Sequence, residues 1–163
     1  MKNVIITGAT SFIGIYLLDE LLNSGYKVTA IVRESSRNLY KLPKHSNLSV
    51  IVTDLLDRQY IKAAIDYKQV DVFYHFAWGG TRVPERDNRL LQDANYKATI
   101  SAVNLAIDLG CNTFIGTGSQ AEYGICEGVI SEEYPTHPVT EYGKAKLRAC
   151  CDGMQRAHSA NVK

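Results

Sequence analysis

The stretch Lys2 to Gly14, KNVIITGATSFIG, passes from one apolar pattern to another across a single glycine, and this limits what the rest of the chain can be. Val4, Ile5 and Ile6 form a continuous apolar run without alternation, the pattern of a central parallel strand buried on both faces. Gly8 turns the chain. From Phe12 the apolar residues fall at Phe12, Ile13, Tyr16, Leu17 and Leu21, the spacing of one helical face. A strand, a glycine turn and a helix start in succession aim unpaired main-chain N–H groups and the positive end of the helix dipole at one spot, which suits a pyrophosphate. The marked residues Gly8, Ser11 and Gly14 lie near the dinucleotide fingerprint G-x-G-x-x-G, with a wider first spacing and serine where a middle glycine is usual. An ordinary strand-to-helix turn would use the same two glycines, for a positive φ and for close packing. The position directly after a buried strand favours the nucleotide site.

Strand and helix patterns then alternate to the end. Strands are expected at Tyr26 to Val32, Leu48 to Val52, Val70 to His75 and Thr113 to Thr117. Helices are expected at Phe12 to Asn23, Asp57 to Tyr67, Asn88 to Leu109 and from Glu141 onward. This alternation predicts an α/β fold, a doubly wound parallel sheet in strand order 3-2-1-4-5, with the ligand along the carboxyl ends of the strands. The 163 residues suit one dinucleotide-binding domain spanning residues 1–163. A net charge of +1 gives no electrostatic case for nucleic acid or an anionic membrane. The first apolar run is too short for a signal segment or a membrane span, and the expected location is cytoplasmic. Cys111, Cys126, Cys150 and Cys151 have neither CxxC nor metal-like spacing and read as reduced thiols, with no metal site expected.

The strand ends carry the functional reading. Arg33, after the second strand, suits a ribose 2′-phosphate, with Arg37 nearby, whereas Glu34 is the residue that would favour a free 2′-hydroxyl. The expected cofactor is therefore NADP, with NAD as the lesser expectation. Asp54, with Leu55, is either an adenine contact or the N-cap of the next helix. His75 reads as a core histidine at a strand end, followed by Phe76, Ala77, Trp78, Gly79 and Gly80, small or flat residues along which a cofactor can lie. Asn95 is a candidate to turn inward from the third helix, whose Ala94, Ala98, Ala102, Leu105 and Ala106 suit a packed or subunit-facing side.

The second informative stretch is Gly116 to Gly124, GTGSQAEYG, followed by Tyr142-Gly-Lys-Ala-Lys146 at a helix start. Tyrosine and lysine at i and i+4 share a helical face. A nearby ammonium stabilises tyrosinate, so a phenol, with a free pKa of about 10, can exchange a proton near neutrality. Ser119 would hold a carbonyl or hydroxyl oxygen beside it. The chain contains its own control, because Tyr40 and Lys44 have the same spacing but enclose Pro43, which argues against a regular helix there.

Taken together, TGATSFIG, Asp54-Leu55, HFAW at His75 to Trp78, Asn95, SQAEYG and YGKAK resemble the extended short-chain dehydrogenase/reductase family of sugar-nucleotide epimerases, dehydratases and ketoreductases, from Lys2 to the end. The resemblance implies a cofactor site formed by Gly8, Thr10, Ser11, Phe12, Ile13, Gly14, Arg33, Asp54, Leu55, Phe76, Ala77, Trp78, Tyr142 and Lys146. It further implies Tyr142 as proton donor or base, Lys146 as its activator and ribose ligand, and Ser119 as the substrate-oxygen clamp. The family's 4,6-dehydratases place an Asp-Glu or Asp-Gln pair directly after the serine or threonine, and Gln120-Ala121 stands there instead. The expected chemistry is thus hydride and proton transfer on a nucleotide-linked sugar, as a 4-keto reductase or else a 4-epimerase. A non-catalytic dinucleotide-binding module is the expectation from another class. Family members carry further strands and a substrate-binding segment after the tyrosine helix, so this chain resembles the cofactor half of a longer enzyme, inactive by itself. Strand five is expected at a sheet edge, with Ala145, Ala149, Cys150 and Met154 of the last helix partly bare, and the chain is expected to form a homodimer or aggregate through strand five or through the helices at Asn88 and Glu141, the latter being where the resemblance implies dimerisation.

Overall fold

The computed structural model describes residues 2–67 and 69–163. Its core follows from the uninterrupted apolar run of the first strand. In β1 (Asn3–Thr7), Ile5 packs into a cluster with Ile31, Phe73 and Leu105, while Val4 and Ile6 pack on the opposite face with Leu18, Leu22 and Val28. Successive side chains of a strand point to opposite faces, so burial of all three requires helices on both sides of the sheet. They are α1 (Phe12–Asn23) on the Val4 and Ile6 face, with α2 (Arg58–Ala64) and α3 (Arg89–Asp108) on the other.

The remaining strands are β2 (Lys27–Val32), β3 (Leu48–Val52), β4 (Val72–His75) and β5 (Thr113–Gly116). All neighbours pair in parallel, in the order β3-β2-β1-β4-β5 that the alternation predicts. The order reverses between β1 and β4, and there the carboxyl ends of Thr7 and His75 lie in register. A doubly wound sheet opens a crevice at that switch point.

Two expectations are corrected. The helix expected to reach Tyr67 ends at Ala64. Ile65 is extended, Asp66 pairs with Lys27 at 2.9 Å, and the Tyr67 hydroxyl donates to Thr29 Oγ1 at 2.9 Å, so contacts with β2 override the local helical pattern. Burial pushes the Tyr67 phenol up to about 12. The second correction concerns α4 (Glu141–Ser159). Its Ala145 and Ala149 are buried, because α4 lies along α3 with Ala157 and Val162 against Val103. Cys150 and Met154 are exposed, as expected. At the β5 edge, Lys163 N–H donates to the Asn112 carbonyl at 3.1 Å and the Lys163 carbonyl accepts from Phe114 N–H at 2.8 Å, while Ile115 stays 40% exposed.

His75 fastens β4 to its neighbours as the core histidine that the pattern suggests. Its Nε2 lies 3.0 Å from Thr99 Oγ1, and its Nδ1 lies 2.8 Å from Thr7 Oγ1. The Thr99 hydroxyl already donates to the Asn95 carbonyl, so it accepts from Nε2–H, and the bare Nδ1 accepts from Thr7. Burial, and then the Lys146 charge, lower the His75 pKa to about 3. The folded value lies below the unfolded one, so this contribution to stability is complete above about pH 6.5 and is lost as pH falls toward 3. Urea unfolding between pH 6 and pH 4 should show a slope from this group approaching about 1.4 kcal/mol per pH unit, absent in His75→Gln. Parallel slopes for the two proteins would refute this account of His75.

Candidate active site and dinucleotide crevice

The crevice begins where β1 and α1 touch main chain to main chain. Gly8 has φ +73°, and a Cβ on it would meet the Phe76 carbonyl carbon at 2.6 Å. A Cβ on Gly14 would run into the Gly8 carbonyl oxygen. Ser11 is the N-cap of α1, its hydroxyl accepting from Gly14 N–H at 3.1 Å. The Cβ and hydroxyl that stand in place of a middle glycine are thus folded back onto the helix. Phe12 and Ile13 expose their side chains, and their main-chain N–H groups have no protein acceptor among the described residues. Two unpaired donors at the positive end of a helix are what a pyrophosphate requires.

From this turn a cavity of about 570 Å³ runs along the strand ends. It is lined by Gly8, Thr10 and Ser11, by Arg33, Ser36 and Asn38, by Asp54 and Leu55, and by Phe76, Ala77 and Trp78. Neither Glu34 nor Arg37 lines it. Thr10 Oγ1 lies 3.0 Å from Ser36 Oγ, tying the loop after β2 to the glycine turn. Asp57, not Asp54, is the N-cap of α2. Asp54 accepts from Leu56 N–H at 2.8 Å and stays exposed at the cavity wall.

The proposed catalytic side chains lie beyond Trp78, outside that cavity lining. Thr140 caps α4, accepting from Gly143 N–H at 3.0 Å, and sets Tyr142 and Lys146 on its first turns. Gly143 packs on the Ala121 carbonyl so closely that a Cβ would collide with it. This contact brings the Ser119 segment against the Tyr142 turn. Lys146 is 6% exposed, and its Nζ donates to the Thr117 carbonyl at 2.8 Å beneath the face of Trp78, 4.0 Å from the ring centroid. Burial lowers its pKa to about 8, against the opposing charges of Glu122 and Cys150. Trp78 meets Tyr142 edge-on at 5.9 Å, and the Arg86 guanidinium lies 5.4 Å from the Tyr142 ring centroid. The Ser119 hydroxyl accepts from Ala121 N–H at 3.2 Å and keeps its own proton to donate. The Tyr40 and Lys44 control holds, because a 3-10 turn covers only Leu39–Lys41 before the chain extends at Leu42.

Two site residues escaped the sequence reading. Glu122 is buried, and its Oε1 accepts from Ser119 N–H at 2.6 Å. The Ser-x-x-Glu capping-box spacing was its available signal. Gln92 is 1% exposed on α3 and accepts from Trp78 Nε1 at 2.9 Å. Gln92, Asn95 and Thr99 share one helical face that continues into Ala102 and Ala106, a polar stripe in line with an apolar one.

The family model described as the NAD dependent epimerase/dehydratase family matches residues 4–161. The chain belongs to that family. It is 29% identical over 161 residues to UDP-glucose 4-epimerase 4 of Oryza sativa subsp. japonica, covering 91% of this chain and 43% of that protein. It is also 29% identical over 150 residues to the dTDP-6-deoxy-L-talose 4-dehydrogenase (NAD(+)) of Aggregatibacter actinomycetemcomitans, covering 88% of this chain and 51% of that protein. A crystal structure of a UDP-galactose 4-epimerase superposes with a TM-score of 0.86 at 26% identity, over 99% of this chain and 53% of that one. The chain therefore spans about half the length of the curated relatives that it matches.

The glycine contacts predict a contrast. Gly14→Ala, which overpacks the turn, should cost about 1–3 kcal/mol and abolish dinucleotide binding. Gly25→Ala meets no neighbour, has φ +77°, and should cost only about 1–2 kcal/mol with binding retained. Urea unfolding with calorimetric titration of dinucleotide checks both, and tight binding by Gly14→Ala would contradict the assignment.

Proposed function

We propose that this chain is the cofactor-binding part of an NADP-dependent oxidoreductase acting on a nucleotide-linked sugar, as a 4-keto reductase. One observation carries the reading: Lys146 is buried at the ends of β4 and β5, one helical turn from Tyr142, between the Thr117 carbonyl and the Trp78 ring. An ammonium is costly to bury, and here it shares the Trp78 ring with the Tyr142 phenol one helical turn away, a pairing that suits proton exchange at a sugar oxygen. A bound nicotinamide supplies the hydride. Phe12 and Ile13 N–H would hold its pyrophosphate, Asp54 and Leu55 would lie at the adenine end, and Arg33 would take the 2′-phosphate. Tyr142 donates the proton to the carbonyl oxygen, Ser119 O–H donates a hydrogen bond to the same oxygen, and Lys146 supports the phenolate left behind.

Gln120-Ala121 argues against elimination of water. The nearest carboxylate in that segment, Glu122, is buried and committed to Ser119 N–H, so it is not presented to a substrate. A 4-epimerase is the second reading, favoured by the likeness to UDP-glucose 4-epimerases.

NADPH should bind more tightly than NADH by about 1.5–3 kcal/mol, the scale of one hydrogen bond to a charged group. Arg33→Ala should erase that preference and leave NADH binding nearly unchanged. Calorimetry decides, and equal affinities in the unaltered chain would transfer the assignment to NAD. In a turnover assay with a nucleotide 4-keto sugar, Tyr142→Phe should lower the rate by roughly 10² to 10⁴ while cofactor affinity stays unchanged. A normal rate for that variant would remove Tyr142 from the mechanism.

A further inference from the structure

Gln92 is a buried amide with every hydrogen-bonding position used. Its Oε1 accepts from Trp78 Nε1 at 2.9 Å and from Asn95 Nδ2 at 3.1 Å. Its Nε2 donates to the Gly80 carbonyl at 2.8 Å and to the Glu85 carbonyl at 3.1 Å. The partners fix its orientation, because a flipped amide would set NH₂ against two donors and its oxygen against two carbonyls. Both ends of this amide lead to Tyr142. Through Oε1 the contact runs to Trp78, whose face lies on Lys146 and whose ring meets Tyr142 at 90°. Through Nε2 it runs to the Gly80–Glu85 main chain, and the next residue, Arg86, sets its guanidinium near the Tyr142 ring. Arg86 Nε is buried with no partner among the described residues, so the backbone of this loop, more than hydrogen bonds of its own, holds the guanidinium there.

We propose that Gln92 is the positioning residue of the Tyr142 and Lys146 pair, one amide that sets both the aromatic wall on Lys146 and the second cation beside Tyr142. The proposal rests on the reading of that pair given under the proposed function. The physical reason is that an indole face stabilises an ammonium, and does so best where water is excluded. A wall free to swing away would leave Lys146 buried without that partner and free to re-aim. Asn95 supports the same wall from the neighbouring turn, its amide closing on Gly79 N–H and the Gly79 carbonyl at 3.0 Å and 2.8 Å.

Trp78 is the only tryptophan, so its emission reports this contact directly. Lys146→Met should shift the Trp78 emission maximum in the otherwise unaltered chain. In a Gln92→Met background the same Lys146→Met change should produce no further shift, a non-additivity that a structural role at a distance does not generate. Circular dichroism and a thermal melt establish that both backgrounds are folded. An equal shift in the two backgrounds, or a Gln92→Met emission identical to that of the unaltered chain, overturns the proposal. If Gln92→Met does not fold, the unaltered chain decides. Its single indole N–H should exchange with solvent at least roughly tenfold more slowly than a free indole, since it donates into a buried amide. Exchange at the free rate overturns the proposal. Neither readout involves turnover, so a failure of the catalytic reading in the Tyr142→Phe assay leaves both measurements intact and distinguishable from it.

Discussion

The site depends on two main-chain segments meeting with no side chain between them. Gly14 lies against the Gly8 carbonyl, and Gly8 in turn lies against Phe76 and Ala77. The first contact sets the direction of α1, so that its N-terminal donors face the crevice. The second brings the end of β4 beside the end of β1, although many residues separate them in sequence. A Cβ at either place would push these segments apart by more than a packed core absorbs. Serine is tolerated between the two glycines because its hydroxyl caps Gly14 N–H. The donors of Phe12 and Ile13 then remain for a ligand.

Periodicity made the sheet legible because a parallel strand buried on both faces has no polar alternation to mistake for something else. The order β3-β2-β1-β4-β5 and the limits of α1 and β3 follow from pattern and right-handed crossover alone. What pattern missed was decided by contacts distant in sequence. The end of α2 is set by Lys27 and Thr29 of β2, which draw Asp66 and Tyr67 away from the helix. Burial of Ala145 and Ala149 depends on α4 lying along α3, which a single amphipathic stripe cannot specify. Around the candidate site, the close turn at Gly8 and Gly14 and the shared helical face of Tyr142 and Lys146 were legible because each spacing encodes one local geometry. Gln92 was not, since a glutamine within a helix is ordinarily a surface residue, and only the return of the Gly80–Glu85 loop encloses it.

Why the crevice and the proposed catalytic pair are separate compartments follows from Trp78. Its indole lies at the boundary, lining the long cavity while resting on Lys146. The phosphate end of the crevice is open and built from main-chain donors, which need no dry surroundings to bind an anion. The Lys146 end is enclosed, and enclosure is what strengthens a charge-dependent step.

Enclosure also sets apart the two buried bases near the strand ends. His75 and Lys146 lie close enough for the lysine charge to oppose protonation of the imidazole. With its pKa near 3 and both ring nitrogens bonded to threonines, His75 cannot exchange protons with a substrate near neutrality and serves to tie β1, β4 and α3 together. Lys146 differs because burial brings it down only to about 8, the charges of Glu122 and Cys150 resisting a larger fall. It therefore remains largely an ammonium at neutral pH, with Thr117 as its acceptor and Trp78 as its wall. One helical turn away, Tyr142 meets the same Trp78 indole edge-on, so the two side chains share one wall.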